Sequence, residues 1–162
     1  MMDHEPLACA EQLVGDHQGP DGVIARAGVS NLGVAQLERA AAIAPIVSVQ
    51  NELSPYEPES WDVVRWCEEN DVLFLAWAPL GGADRAASVG EDDATAPFAE
   101  VAARHGVSPQ RVVIAWLIAS SPTVVPIVGS RRPETILDSL AAADLELTAD
   151  DLAVLAGAAV ER

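Results

Sequence analysis

The chain has 162 residues, 50% of them hydrophobic, and a formal charge of −16 at neutral pH. That length and apolar content suit one globular domain with a core and argue against disorder. There is no lysine, which excludes Schiff-base, pyridoxal-phosphate and P-loop-lysine chemistry, and the acidity argues against nucleic acid or an anionic membrane as partner.

Residues 1–22 read as an N-terminal segment and 23–162 as the domain. Met1 to Pro6 is polar and acidic, without a secretory signal, and no apolar run approaches the roughly 20 residues of a spanning helix. A cytoplasmic location is expected. Cys9 and Cys67 lack metal or redox spacing and read as reduced, buried thiols. The first strand is expected over Val23–Val29 and a helix over Leu32–Ile43. A second strand follows over Ile46–Val49, then a helix over Glu59–Glu69, capped by Ser60, with Trp61, Val64 and Cys67 on one stripe. Val72–Trp77 is the third strand. Gly81–Pro97 is a long loop, either a flexible lid or a solvated acidic stretch. Helices over Phe98–His105 and Pro109–Ala119 come next, the second capped by Ser108 with proline at its first position. His105 sits where a helix dipole favours it. The fourth strand is Val124–Val128, and Thr148 opens a last helix with Asp150 and Asp151 in its first turn. Trp61, Trp66 and Trp116 fall in helical patterns and read as packing residues.

The strand runs do not alternate with polar residues, the pattern of strands buried on both faces of a parallel sheet. Strand alternating with helix gives an α/β fold of four parallel βα units. Four units do not close a (β/α)8 barrel, so two edges and an inner face are left without partners.

Five segments carry a family resemblance. Gly28-Val29-Ser30-Asn31, Val49-Gln50-Asn51-Glu52 with Ser54-Pro55-Tyr56, Trp77-Ala78-Pro79-Leu80-Gly81, Val125 to Glu134 and Leu145 to Thr148 stand in order along the chain. Together they resemble the C-terminal half of the aldo-keto reductases, over roughly Val23 to Leu155. The resemblance implies a half TIM barrel and an oxidoreductase ancestry with NADP as cofactor. It places the nicotinamide carboxamide on Ser30, Asn31 and Gln50, the ring against Trp77, the pyrophosphate along Pro79, Leu80 and Gly81, and the adenosine phosphate at Gly129, Ser130 and Arg131. Read from the residues alone, Trp77 is equally a large barrel-top side chain, and Arg131-Arg132 a solvated pair. Ala78 stands where the family has serine, and Asp138-Ser139 where it has the Glu-Asn that reads adenine.

The family's Asp, Tyr, Lys and His tetrad belongs to the other half of its barrel. It is expected to be missing, Tyr56 lying in the sixth-strand loop and His4 upstream of the first strand. A self-sufficient carbonyl reductase is therefore not expected. Glu52, just past a strand end, is either a general acid or base with Tyr56 nearby or an outward-facing loop residue. Three functions follow: a nicotinamide-cofactor or small-molecule binder working as an oligomer; a repurposed cyclase, isomerase or dehydratase using acid–base catalysis; or a non-catalytic scaffold. A homodimer, or a partner chain supplying the other half-barrel, is expected to close the barrel, with at most one ligand in it.

Overall fold

The computed structural model describes residues 26–160. The expected segment 1–22, Cys9 and the start of the first strand lie outside the described residues. Four strands form one parallel sheet in chain order: β1 (Ala27–Ser30), β2 (Ile46–Glu52), β3 (Leu73–Trp77) and β4 (Val124–Pro126). Between and after them run α1 (Val34–Ile43), α2 (Trp61–Glu69), α3 (Ala96–His105), α4 (Pro109–Ser120), α5 (Pro133–Leu140) and α6 (Ala149–Val160). The architecture is half of a (β/α)8 barrel.

Strand periodicity of two sorts the side chains onto two faces. Val49, Phe74, Ala76 and Val124 point at the helices and are buried. They meet Val63, Val64 and Cys67 of α2, Phe98 and Val101 of α3, and Val112, Val113 and Leu117 of α4. Trp116 is the hub between helices: Trp61 and Phe98 meet it edge to face, with ring centroids 5.6 and 5.4 Å away, the geometry that aromatic quadrupoles prefer. All three helical tryptophans pack as expected. Cys67 is fully buried, and loss of solvation pushes its thiol up to about 11. It is therefore a protonated, apolar core residue at neutral pH.

The other face carries Ser30, Gln50, Glu52, Leu73, Leu75, Trp77, Val125 and Ile127. It is open: Leu73, Val125 and Ile127 remain 48, 44 and 42% exposed. Burial on both faces, expected from the apolar runs, therefore holds on the helix side only. β2 runs three residues beyond its expected end because Gln50, Asn51 and Glu52 keep pairing with β1 or β3. β4 is shorter than expected and ends at Pro126, with one further bond from the Ile127 N–H to the Ala76 carbonyl at 2.8 Å. No helix among the described residues is long and apolar enough to cross a membrane.

Two expected caps differ in outcome. Ser108 accepts from the Arg111 N–H at 3.0 Å and starts α4 at Pro109. Ser60 precedes α2 but makes no side-chain capping bond. The helix α5 and the 3-10 turn Ala141–Asp144 go beyond the expected elements. The start of α6 is more heavily built than a dipole argument requires. The buried Asp151 carboxylate accepts from the Thr148 N–H at 3.0 Å, the Thr148 hydroxyl at 2.7 Å and Arg104 at 3.1 Å, and it meets His105 Nε2 at 2.8 Å. His105 is thus a clasp between α3 and α6 as well as a residue at a helix C-terminus.

The His105 contact, then the Thr148 hydroxyl, hold the Asp151 carboxyl far below the usual range. A lowered folded value contributes stability above the unfolded value near 3.9 and loses it as the pH falls through the folded one. Asp151→Asn is expected to cost about 1–3 kcal/mol of unfolding free energy at pH 7. Urea unfolding across a pH series should show the gap to wild type narrowing below about pH 4.

Candidate active site at the strand ends

Chain reversal at the C-terminal ends of β1 and β3 fixes the site. Asn31 follows β1 at φ 57°, a left-handed conformation that asparagine tolerates better than most residues. In that turn its N–H donates to the Gln50 carbonyl at 3.0 Å, and its Oδ1 accepts from Trp77 Nε1 at 3.2 Å. The Ser30 hydroxyl donates to the same Gln50 carbonyl at 2.7 Å. The main chain of Gln50 is thus held from β1, while its side-chain amide has no hydrogen bond to a described residue. Ser30, Asn31, Gln50 and Trp77 are brought together at the ends of three adjacent strands.

Asn51 is a residue the sequence reading passed over. It points to the helix side, is buried, and forms a reciprocal pair with Leu32: its Nδ2 donates to the Leu32 carbonyl at 3.0 Å, and the Leu32 N–H donates to Oδ1 at 3.3 Å. This bond, made two residues after Ser30, locks the strand-to-helix turn. A polar residue between apolar Val49 and Leu53, in step with them, was the available signal.

Beside this frame lies a cleft of about 370 Å³ whose walls include Asn31, Asn51, Glu52, Glu57, Asp62 and Trp77, with no basic side chain among the lining residues. Glu52 is partly buried there. Loss of solvation and then the neighbouring Glu57 raise its carboxyl, against a lowering by Arg85. A carboxyl raised by its surroundings suits proton transfer near neutrality better than a solvated one.

Tyr56 makes different contacts from Glu52. Its hydroxyl donates to Asp92 Oδ2 at 3.1 Å and lies 3.4 Å from Thr95 Oγ1, while the Arg85 guanidinium stands 4.8 Å from its ring centroid. Burial and Asp92 raise its phenol, with the Thr95 bond acting the other way. Tyr56 is a strut for the loop after β3. That loop is neither a free lid nor a wholly solvated stretch. Val89 and Thr95 are buried in it, Gly90 donates to Thr95 Oγ1 at 2.8 Å, and Gln110 donates to the Ala86 carbonyl at 2.9 Å. Pro79 is buried and Leu80 packs on the core. Gly81, at φ 77°, presses on the Tyr56 ring so closely that a Cβ would fall 2.5 Å from Cδ2.

After β4, Gly129, Ser130 and Arg131 are exposed. The Ser130 hydroxyl is engaged with the main chain of Arg132, accepting from its N–H at 3.1 Å. Arg131 forms no ion pair among the described residues. Asp138 does not project outward: it takes Arg111 Nε at 2.9 Å and the Ser108 hydroxyl, tying α5 to α4. Ser139 is buried and donates to the Thr135 carbonyl at 3.0 Å. Both side chains at the adenine-reading positions of the resemblance are thus committed internally.

Half of a (β/α)8 barrel, with its polar groups at the C-terminal strand ends, defines the class: barrels of this kind carry their chemistry on that face. Residues 11–159 match the aldo/keto reductase family, and the chain belongs to it. It is 33% identical over 136 residues to an aldo/keto reductase of Synechocystis, which takes in 80% of this chain and 41% of that protein. It is 27% identical over 131 residues to the NADPH-dependent alpha-keto amide reductase of Saccharomyces cerevisiae, covering 77% and 41% of the two. The aldose reductase structure from Giardia lamblia superposes with a TM-score of 0.76 at 27% identity, covering 96% of this chain and 51% of that one. The chain spans about half the length of the relatives it matches.

Two substitutions probe the frame. Gly81→Ala should destabilise the fold by more than about 1 kcal/mol and by more than Gly82→Ala, which shares the left-handed φ but meets no neighbour. Thermal unfolding of the pair separates backbone strain from the clash with Tyr56. Glu52→Gln is expected to raise stability at pH 7 by less than about 1 kcal/mol, since a raised carboxyl makes ionisation costly in the folded state. That gain should vanish below about pH 4, where the residue is protonated in both states.

Proposed function

We propose that this chain is the nicotinamide-binding half of an aldo-keto-reductase-type oxidoreductase, working in an oligomer and not by itself a carbonyl reductase. One observation carries the reading. At the ends of β1 and β2, the side-chain amide of Gln50 and the Nδ2 of Asn31 have no described hydrogen-bond partner, although the backbone around both is pinned within 3.0 Å contacts. Unspent amide donors and acceptors on a fixed frame fit a carboxamide, which needs both. Trp77, oriented by its bond to Asn31, offers an aromatic face beside them. The family's relatives include an enzyme named for NADPH dependence, which supports NADP as the dinucleotide.

Ser30, Asn31, Gln50 and Trp77 would hold the nicotinamide end, Pro79 to Gly81 the pyrophosphate, and Gly129 to Arg131 the adenosine phosphate. Reduced nicotinamide supplies a hydride when bound. The residues here bind and orient; the tetrad that moves the carbonyl proton in the family is assigned to the other half-barrel, and lysine is absent from this sequence. With Asp138 and Ser139 committed elsewhere, adenine recognition falls to main-chain groups and Arg131.

A second reading rests on Glu52. Its raised carboxyl, in a cleft with Glu57 and Asp62, supports non-redox acid–base chemistry on a small molecule. The titration that decides uses tryptophan fluorescence. NADPH is expected to quench it, Gln50→Leu to weaken binding roughly 10-fold through lost hydrogen bonds, and Arg131→Ala to erase a preference over NADH. Absence of quenching at saturating NADPH would remove the redox reading and leave the Glu52 one.

A further inference from the structure

We propose that Asn51 is a positioning residue for the nicotinamide end of the site: from the helix side of the sheet it fixes the turn that aims the Asn31 amide and, through it, the Trp77 ring. The choice of ligand rests on the function proposed above; the contacts do not.

β1 stops pairing with β2 at Ser30, which stands beside Gln50. One residue later the Asn31 N–H still reaches the Gln50 carbonyl at 3.0 Å. Leu32 comes next and is only 8% exposed, so its N–H and carbonyl need a partner other than a strand or bulk water. The Asn51 side chain, 7% exposed, serves both: Nδ2 donates to the Leu32 carbonyl at 3.0 Å and Oδ1 accepts from the Leu32 N–H at 3.3 Å. A primary amide carries a donor and an acceptor in one plane, as a peptide group does. Asn51 thus continues the pairing of β1 with β2 by one residue, with a side chain in place of main chain.

Asn31 lies between these two attachments. Its φ of 57° is left-handed, a conformation that persists in a non-glycine residue when its surroundings hold it. The Gln50 carbonyl holds its own N–H and Asn51 holds the residue after it, so the direction of its side chain is set. Because an indole N–H only donates, the 3.2 Å contact with Trp77 Nε1 takes Oδ1 and leaves Nδ2 for a ligand. That bond in turn orients the ring at the end of β3. One buried amide therefore governs two of the groups assigned to the nicotinamide. Gln50 and Glu52, its neighbours on β2, face the other side of the sheet. Other side chains at position 51 lack the paired functions: leucine has neither polar atom, ionised aspartate accepts without donating, and glutamine is one methylene longer.

The test compares NADPH with 2′-phospho-ADP-ribose, the same dinucleotide without its nicotinamide, by titration calorimetry. It also follows the Trp77 indole N–H by NMR, assigned with Trp77→Phe. One readout needs no folded variant: in the wild type the Leu32 amide should exchange slowly, although Leu32 lies outside the strands. Asn51→Leu and Asn51→Asp should shift the Trp77 indole signal, weaken NADPH roughly 10-fold through lost hydrogen bonds, and leave 2′-phospho-ADP-ribose within about 2-fold. Ser121→Ala removes a different buried hydrogen bond, between α4 and β4, and should change neither the indole signal nor the NADPH affinity. Fast exchange of the wild-type Leu32 amide, an unmoved indole signal or unchanged NADPH affinity in both Asn51 variants, or equal weakening of the two ligands would each overturn the proposal alone. A wild type that binds neither ligand, or both equally, would overturn the nicotinamide reading, and the proposal falls with it even where the indole signal moves as expected.

Discussion

Everything in this chain depends on how a parallel sheet is covered. Parallel strands need crossover helices, and right-handed crossovers put all of those helices on one side of a curving sheet. Here that side is sealed by α2, α3 and α4 around Phe74, Phe98 and Trp116. The concave side has no such cover. Register sorts its residues into levels: Ser48 lies beside Leu73, then Ser30, Gln50, Leu75 and Val125 share one level, and Glu52 lies beside Trp77 at the C-terminal end. Polar and apolar side chains thus stand side by side at each level, and the mouth begins where β2 and β3 end. The apolar members Leu73 and Val125 remain 48 and 44% exposed.

The mouth is built by main-chain geometry first and side chains second. Asn31 and Ala78 both take positive φ at strand ends, reversing the chain at once so that the following residues stay near the sheet. Asparagine adopts that conformation with less strain than alanine does. At Asn31 the side chain also gains Trp77 as a partner. At Ala78 nothing comparable compensates, and the turn is held by the Gly81 N–H on the Ala78 carbonyl at 2.8 Å and by Tyr56 packing on Gly81. A catalytic assignment for Tyr56 therefore competes with a structural one: moving its hydroxyl would release Asp92 and Thr95, and with them the loop.

Local signals made much of this legible in advance. Unbroken Val, Ile and Leu runs marked the strands, and Ser108-Pro109 marked α4, because a cap and a fixed φ act within a few residues. The helix α5 escaped notice because it is short and leaves Leu137 and Leu140 in solvent, so no buried stripe announced it. The tie between His105 and Asp151 spans 46 residues, and that between Arg111 and Asp138 spans 27. Neither has a local pattern, and both appear only when the helices are docked. At the site the resemblance marked the strand ends. The division of labour there, with Gln50 toward the open face and Asn51 clamping Leu32, follows from strand alternation once the direction of the core is known.

Charge placement joins the composition to the site. Arg104 and Arg111 are consumed by carboxylates in the helical layer, and Arg85 lies over Tyr56. The cleft at β2 and α2 is lined by carboxylates alone among its charged groups, whereas Arg131 and Arg132 stand after β4. The mouth is thus acidic on one flank and basic on the other, inside a strongly acidic chain. By charge alone a phosphate is disfavoured at the first flank and favoured at the second. A ring that carries positive charge in its oxidised form is favoured beside the acids. On the function proposed above, a ligand with phosphates at one end and a nicotinamide at the other would match that polarity in one orientation, with its carboxamide toward the Gln50 and Asn31 amides.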